Sequence, residues 1–143
     1  MNEPRLETPY IADADAQWLT GNLHTHTTVS DGRDTPEAMV RRYAELGHDF
    51  LMISDHDGVT DTGGLDPRGM VLLPGNEVWG GGPHVLDVGA RKRIGWGGRL
   101  QPMLDAINSE SGFPVLAHPN WGEDFNHFPV GELLALANYA GIE

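Results

Sequence analysis

Three short apolar runs in this chain each end in residues that carry chemistry. Phe50-Leu51-Met52-Ile53 runs into Ser54-Asp55-His56-Asp57, and Met70-Val71-Leu72-Leu73 into Pro74-Gly75-Asn76-Glu77-Val78. Gly112-Phe113-Pro114-Val115-Leu116-Ala117 runs into His118-Pro119-Asn120-Trp121. Runs this short and this uniformly apolar predict strands buried on both faces. Pro83-His84-Val85-Leu86-Asp87-Val88-Gly89, after the glycines at 80 to 82, predicts another. Helices are expected between the strands. One opens at Asp34-Thr35-Pro36-Glu37, with Asp34 or Thr35 as N-cap, carries Met39, Val40, Tyr43 and Leu46 at helical spacing, and closes at Gly47. A second spans Arg99 to Ser109, with Leu100, Met103, Leu104 and Ile107 in register. A third spans Val130 to Tyr139, and Gly141-Ile142-Glu143 begins a further strand. Such alternation predicts βα units on a parallel sheet, and in a (β/α) barrel sites gather at the C-terminal strand ends.

The stretch Asn22 to Gly32 adds a pair of ligands. On a strand, His24 and His26 project from one side because side chains alternate with a period of two. Asp31 follows, and Gly32 lets the chain turn. A surface strand with two exposed histidines is the plainer reading of His-x-His alone. The wider set decides against it: His24, His26, Asp31, His56, Glu77, His84 and His118 all fall on or just after a predicted strand, and five of the chain's seven histidines are among them. Together they point to a shared metal site. Seven ligands exceed the four that satisfy one structural zinc, so multiple ions are expected. A carboxylate such as Glu77 would bridge two of them, in the manner of metal pairs about 4 Å apart that clamp a hydrolytic displacement. No Ser-His-Asp elbow is visible and there is no cysteine, so a hydroxide generated on the metal is the expected nucleophile.

Other residues carry two readings each. Asp55 and Asp57 flank His56 and either orient a ligand imidazole or cap a loop. Asn120 and Trp121 line the pocket, or Trp121 packs. His48 follows the helix-ending Gly47 and pairs with the helix dipole. His127 reaches the mouth of the site or stays in its loop. Arg91-Lys92-Arg93, the one concentrated positive charge, receives an anionic substrate or forms a solvated loop.

Composition sets the bounds. At 143 residues, 39% hydrophobic and 21% charged, the chain suits one globular domain. Residues 1–17 read as an extended lead-in in which Trp18, just beyond, anchors the start of the domain over 18–143. Twenty-one acidic against nine basic residues give a net charge of −12, which disfavours nucleic acid as a partner. With no cysteine, any metal is bound by nitrogen and oxygen. Neither a signal peptide nor a membrane span is evident, so a cytoplasmic protein with no membrane partner is the expectation.

The motifs in order resemble those of the PHP (polymerase and histidinol phosphatase) family of metal-dependent phosphoesterases. The pieces that carry this are His24-Thr25-His26, Ser30-Asp31-Gly32, Ser54-Asp55-His56-Asp57, Pro74-Gly75-Asn76-Glu77, His84-Val85-Leu86 and Ala117-His118-Pro119. Within the family, Gly21 to Thr28 with Asp49-Phe50-Leu51 is most similar to the CehA/McbA-like metallohydrolases, which include a carbamate-ester hydrolase. The resemblance implies a distorted (β/α)7 TIM-like barrel. It implies that His24 and His26 hold a first ion, bridged by Glu77 to a second completed by His84 and His118, with Asp31 and His56 on a third. Two or three divalent ions (Zn, Mn or Fe) would suit such ligands, and Glu77, His118 and Asp31 would be catalytic. Family members carry a later Asp-x-His, and residues 119–143 do not supply it. The barrel is therefore expected to be incomplete at its C-terminus, as a fragment, a half completed by a partner chain, or a degenerate domain. Its exposed sheet edges would favour oligomers. The expected activity is hydrolysis of a small phosphate ester; the alternatives are a carboxyl- or carbamate-ester hydrolase and a non-catalytic metal-binding module.

Overall fold

The computed structural model describes residues 16–122 and 127–143, so most of the expected lead-in over 1–17 lies outside the described residues. The elements are β1 (Gly21–Asn22), α1 (Pro36–Glu45), β2 (Phe50–Ile53), β3 (Val71–Val78), β4 (Val85–Val88), α2 (Leu100–Glu110), β5 (Phe113–Leu116), α3 (Val130–Leu133) and β6 (Gly141–Ile142). The strands form one six-stranded sheet in sequence order. Among the described residues, no helix is long and apolar enough to cross a membrane.

The fold is mixed α/β, but the sheet is not all parallel. β1, β2 and β3 run parallel, as do β5 and β6, whereas β4 is antiparallel to both β3 and β5. The reason lies in the connection. Trp79 to His84 is the whole link from β3 to β4, and a parallel crossover needs a dozen residues or more. Gly80 and Gly81, at φ of 53° and 93°, turn the chain back on itself. The reversal has a consequence for chemistry: His84 precedes β4, yet it stands at the same sheet edge as the ends of β3 and β5.

β3 is longer than its apolar run and changes partner along its length. Val71 to Pro74 pairs with β2, and Gly75 to Val78 with β4. A single bridge between His56 and Glu77 prolongs the pairing with the β2 side. Glu77 is thereby carried into the middle of the sheet.

Three apolar clusters fix the layers. On β2, Leu51 and Ile53 pack against Val40 of α1 and Met70. Met52 points the other way, to Leu86, Val88 and Ala117. α2 buries Leu100, Met103, Leu104 and Ile107 against Val78, Val85 and Leu116. The helices therefore cover the outer face, and the smaller Met52 cluster fills the inner one. The sheet is curled. Laid flat, β1 and β6 would be about 24 Å apart, five spacings of about 4.8 Å. Yet His24 Nδ1, just past β1, lies 3.0 Å from Glu143 Oε1, just past β6. Such a half-barrel wall is compatible with an incomplete barrel.

α1 starts as expected, with Thr35 Oγ1 accepting from the Ala38 N–H and Pro36 in the first turn. Other expectations need correction. α3 ends at Leu133 instead of Tyr139 because side chains of α2 take over the backbone beyond it. Gln101 bonds both the N–H and the carbonyl of Ala137, and Asn108 Nδ2 donates to the Asn138 carbonyl, with Asn138 at φ 64°. Leu46 sits at the C-cap with 72% exposure, and Trp18, 79% exposed, is not packed as an anchor among the described residues.

Gly32 is required by close approach. A Cβ there would stand 2.4 Å from the His26 carbonyl carbon and oxygen, where the turn closes through Gly32 N–H to Thr27 O. Gly32→Ala is predicted to lower stability by about 1–3 kcal/mol in denaturant unfolding. Gly64→Ala, in open space, should leave it within about 0.5 kcal/mol.

Candidate metal centre

Glu77 is the hub. Its side chain is 1% exposed, and both carboxylate oxygens face imidazoles. Oε2 lies 2.7 Å from His26 Nε2, 3.2 Å from His24 Nε2 and 3.3 Å from His56 Nδ1. Oε1 lies 2.9 Å from His84 Nδ1 and 3.0 Å from His118 Nε2. The five histidines come from four segments: the stretch after β1, the end of β2, the start of β4 and the end of β5.

The segment carrying His24 and His26 is an extended stretch, not the strand that was expected, since β1 stops at Asn22. Its side chains alternate all the same: Thr25 and Thr27 are buried, and the two histidines face the opposite side. Side-chain hydrogen bonds replace a ladder in holding it. Asp55, 1% exposed, accepts from Thr27 N–H at 2.7 Å, Thr27 Oγ1 at 2.8 Å, Ser30 Oγ at 2.7 Å and Thr60 Oγ1 at 2.6 Å. Ser54 Oγ accepts from the Thr25 N–H at 2.9 Å. Asp55 thus orients the loop that presents His26 and makes no bond to His56. Asp57, at φ 51°, instead accepts from the N–H groups of Trp79 and Gly80 and ties down the turn after β3.

Asp31 stands between two imidazoles, with Oδ1 2.8 Å from His26 Nδ1 and Oδ2 3.6 Å from His56 Nε2. Arg91 stands elsewhere. Beyond the far end of β4, its Nε donates to the Ser111 carbonyl, and Lys92 pairs with Glu110. Asn120 is exposed, while Trp121 leans on the His118 ring with centroids 5.3 Å apart. His48 closes α1 by its backbone, donating to the Tyr43 carbonyl.

Two residues extend the cluster. Glu143 accepts the His118 backbone N–H at 2.8 Å and faces His24 Nδ1 with both oxygens, at 3.0 and 3.2 Å. It escaped the site reading although it fits the same pattern, an acidic residue just after an apolar strand. His127 Nε2 accepts the His84 backbone N–H at 2.8 Å, and its ring lies 4.6 Å from that of His84. Ligand atoms within 4.8 Å of one another form four groups: His24-His26-Glu77, His26-Asp31-His56, His24-His118-Glu143 and His84-His118-His127.

The donor set fits divalent cations. His24 Nε2 and His26 Nε2 are 3.1 Å apart, close to the roughly 3.3 Å that two imidazoles span on one tetrahedral zinc. Both nitrogens of His26 face carboxylates, so without a cation the ring needs two protons. Among the described residues, His118 Nδ1 is buried with no hydrogen-bond partner, and His56 Nδ1, although 3.3 Å from Glu77 Oε2, makes no hydrogen bond either. All donors are nitrogen or oxygen, the donor types that hold divalent cations without thiolate.

Electrostatics follow the contacts. Burial alone would raise the Glu77 pKa, but hydrogen bonds from His24, His26 and His84 hold it far below the usual carboxylate range. His26 is pushed up to about 9, first by its hydrogen bond to Glu77, then by Asp31, against burial. His24 is also raised, Glu77 and Glu143 outweighing its burial. His127 is lowered by burial and by the neighbouring His84 and His118.

No protein-family model matches the chain. Two curated proteins are similar over a short stretch. The 5′-3′ exoribonuclease Rnm of Escherichia coli (strain K12) is 56% identical over 36 residues, and that of Salmonella typhimurium (strain LT2) 53% over 36. Each match takes in 25% of this chain and only 12% of the relative's length.

Two predictions follow from the cluster's charges. In metal-free protein, the raised His26 pKa contributes stability that is fully present below 6.5 and is lost as pH rises through about 9. Glu77 contributes in the opposite sense, with stability present above about 4.5 and lost on acidification. Chelated protein should therefore melt at a lower temperature at pH 9 than at pH 6. Zinc affinity, measured by calorimetry in buffers of different ionisation enthalpy, should rise from pH 6.5 to 8.5 with release of protons. Separately, Glu143→Gln should weaken zinc binding about 10- to 100-fold by loosening His24 and the His118 turn, with little change in melting temperature of the chelated protein.

Proposed function

We propose that this chain carries the metal centre of a hydrolase of small phosphate esters, of the PHP type. The observation that carries the reading is Glu77, one buried carboxylate whose two oxygens face separate sets of imidazoles, which is the arrangement of a bridge between two cations. The short likeness to 5′-3′ exoribonucleases, which cleave phosphate esters, favours phosphate over carboxyl-type esters. The net charge of −12 favours a small ester over a long polyanion.

The residues divide the work by position. His24, His26 and Glu77 would hold one ion, Glu77, His84 and His118 a second, and Asp31 with His56 a third. When bound, divalent cations supply positive charge opposite the ester oxygens and lower the pKa of a coordinated water towards neutrality. Imidazole donors hold the Glu77 pKa far below the usual carboxylate range, so both its oxygens are charged before any cation arrives. Glu143 and Asp31 accept from the outward Nδ1 atoms of His24 and His26, which turns the Nε2 atoms of both rings towards Glu77. His127 lines the cavity, and because its Nε2 accepts the His84 N–H, the neutral ring carries its proton on Nδ1.

The test is a panel of aryl phosphates, aryl carbamates, aryl acetates and a 5′-phosphorylated oligoribonucleotide, with manganese or zinc added to chelated protein. Metal-restored hydrolysis of the small phosphates is expected, and Glu77→Gln should lower it by at least about 100-fold. Turnover of carbamates or acetates alone replaces the phosphate reading with a carboxyl-type hydrolase. Preference for the oligoribonucleotide overturns the small-ester substrate. Bound metal with no turnover on any arm makes the chain a metal-binding module.

A further inference from the structure

A cleft of about 390 Å³ opens beside the histidine cluster, with His56, His84 and His127 on its inner side and Trp79, Trp121 and the 81–82 glycines on its rim. Its size falls within the range of small-molecule sites. Two indoles flank it and both face solvent, Trp79 at 48% exposure and Trp121 at 63%. Large aromatic rings left in water beside a polar site are candidates for ligand contact. These two stand on turns held by specific bonds. The Trp79 N–H donates to Asp57 Oδ1 at 3.1 Å, and the Trp121 N–H to the His118 carbonyl at 2.9 Å. Each ring also leans on ligand imidazoles: Trp79 is 5.2 Å from His56 and 5.8 Å from His84, and Trp121 is 5.3 Å from His118.

The wall between them is kept low. A Cβ on Gly82 would stand 2.4 Å from the Trp96 ring, so this turn lies flat on a third indole, and Gly81 adds no side chain to the cleft. Among the described residues lining the cleft there is no Lys or Arg, so nothing there grips an anion by side-chain charge. An anionic group would have to be met at the histidine-carboxylate cluster, and the rest of the molecule would meet aromatic faces.

We propose that the Trp79–Trp121 cleft is a subsite for a planar aromatic ring, the alcohol side of an aryl or nucleoside phosphate ester, stacked beside the cluster. This rests on the phosphate-ester reading above and names its substrate class. Because the ring is recognised by its face, aryl and nucleobase rings share the chemistry.

The test uses phosphonates, which cannot be hydrolysed, so binding is read apart from turnover. Zinc-loaded protein is titrated with phenylphosphonate, a purine nucleoside 5′-phosphonate and methylphosphonate, following tryptophan fluorescence. An aromatic phosphonate should bind about tenfold or more tighter than methylphosphonate and quench fluorescence; which of the two aromatic ligands wins assigns the ring as aryl or nucleobase. Trp79→Leu and Trp121→Leu should each remove most of that preference. Trp79→Phe and Trp121→Phe, which keep a ring, should retain it, and Trp18→Leu should leave it untouched. Equal binding of all three ligands, or a preference that survives both Leu changes, overturns the subsite while the phosphate-ester reading stands. Aromatic preference in a protein that turns over no ester on the panel keeps the subsite and removes the hydrolase.

Discussion

Everything at the site edge depends on keeping one ionised carboxylate where water does not reach it. An isolated buried carboxylate costs several kcal/mol, more than most single contacts return. Glu77 escapes that cost because five imidazole nitrogens lie within 3.3 Å of its two oxygens. The same contacts run in reverse: the imidazoles owe their approach to the carboxylate between them, and His26 owes its raised pKa chiefly to it. Without cations this is a proton-rich cluster in which each partner justifies the others. With cations the protons leave and the geometry can stay.

Bringing those nitrogens together requires the sheet to curl and one strand to reverse. A flat parallel sheet would spread His24 and His118 over several strand spacings, whereas their rings stack at 5.4 Å. The β3–β4 hairpin delivers His84 from the start of a strand to the edge that β3 and β5 reach with their ends. Around this, the clustered imidazoles are held in place by a few carboxylates that cost little sequence. Asp55 gathers four donors to fix one loop, Asp57 fixes the turn after β3, and Glu143 links the two extremes of the sheet.

Much of this was legible because the signals are local. Apolar runs of four to six residues marked β2 and β5, and the 100, 103, 104, 107 spacing marked α2, all four of whose residues are buried. Candidate ligands were readable because each lies within a few residues of such a run. What misled was equally local. Leu46 continues a helical period but falls at the cap, and the period of residues 130–139 is broken by Gln101 and Asn108, which lie some 30 residues away in sequence. Asp55 sits beside His56 in sequence, yet on an extended backbone neighbours face opposite sides, so it bonds Thr27 and Thr60 instead.

By itself, then, the sequence determined which residue types stand at strand ends, the alternation that puts His24 and His26 on one side, and the absence of thiol ligands, because period and composition are properties of the chain alone. Tertiary structure decided the direction of β4, the roles of Asp55 and Asp57, and the recruitment of Glu143 and His127. Those depend on which segments meet when the sheet curls. Contacts between residues such as His24 and Glu143, 119 positions apart, are set by closure of the whole sheet, which no window along the chain contains.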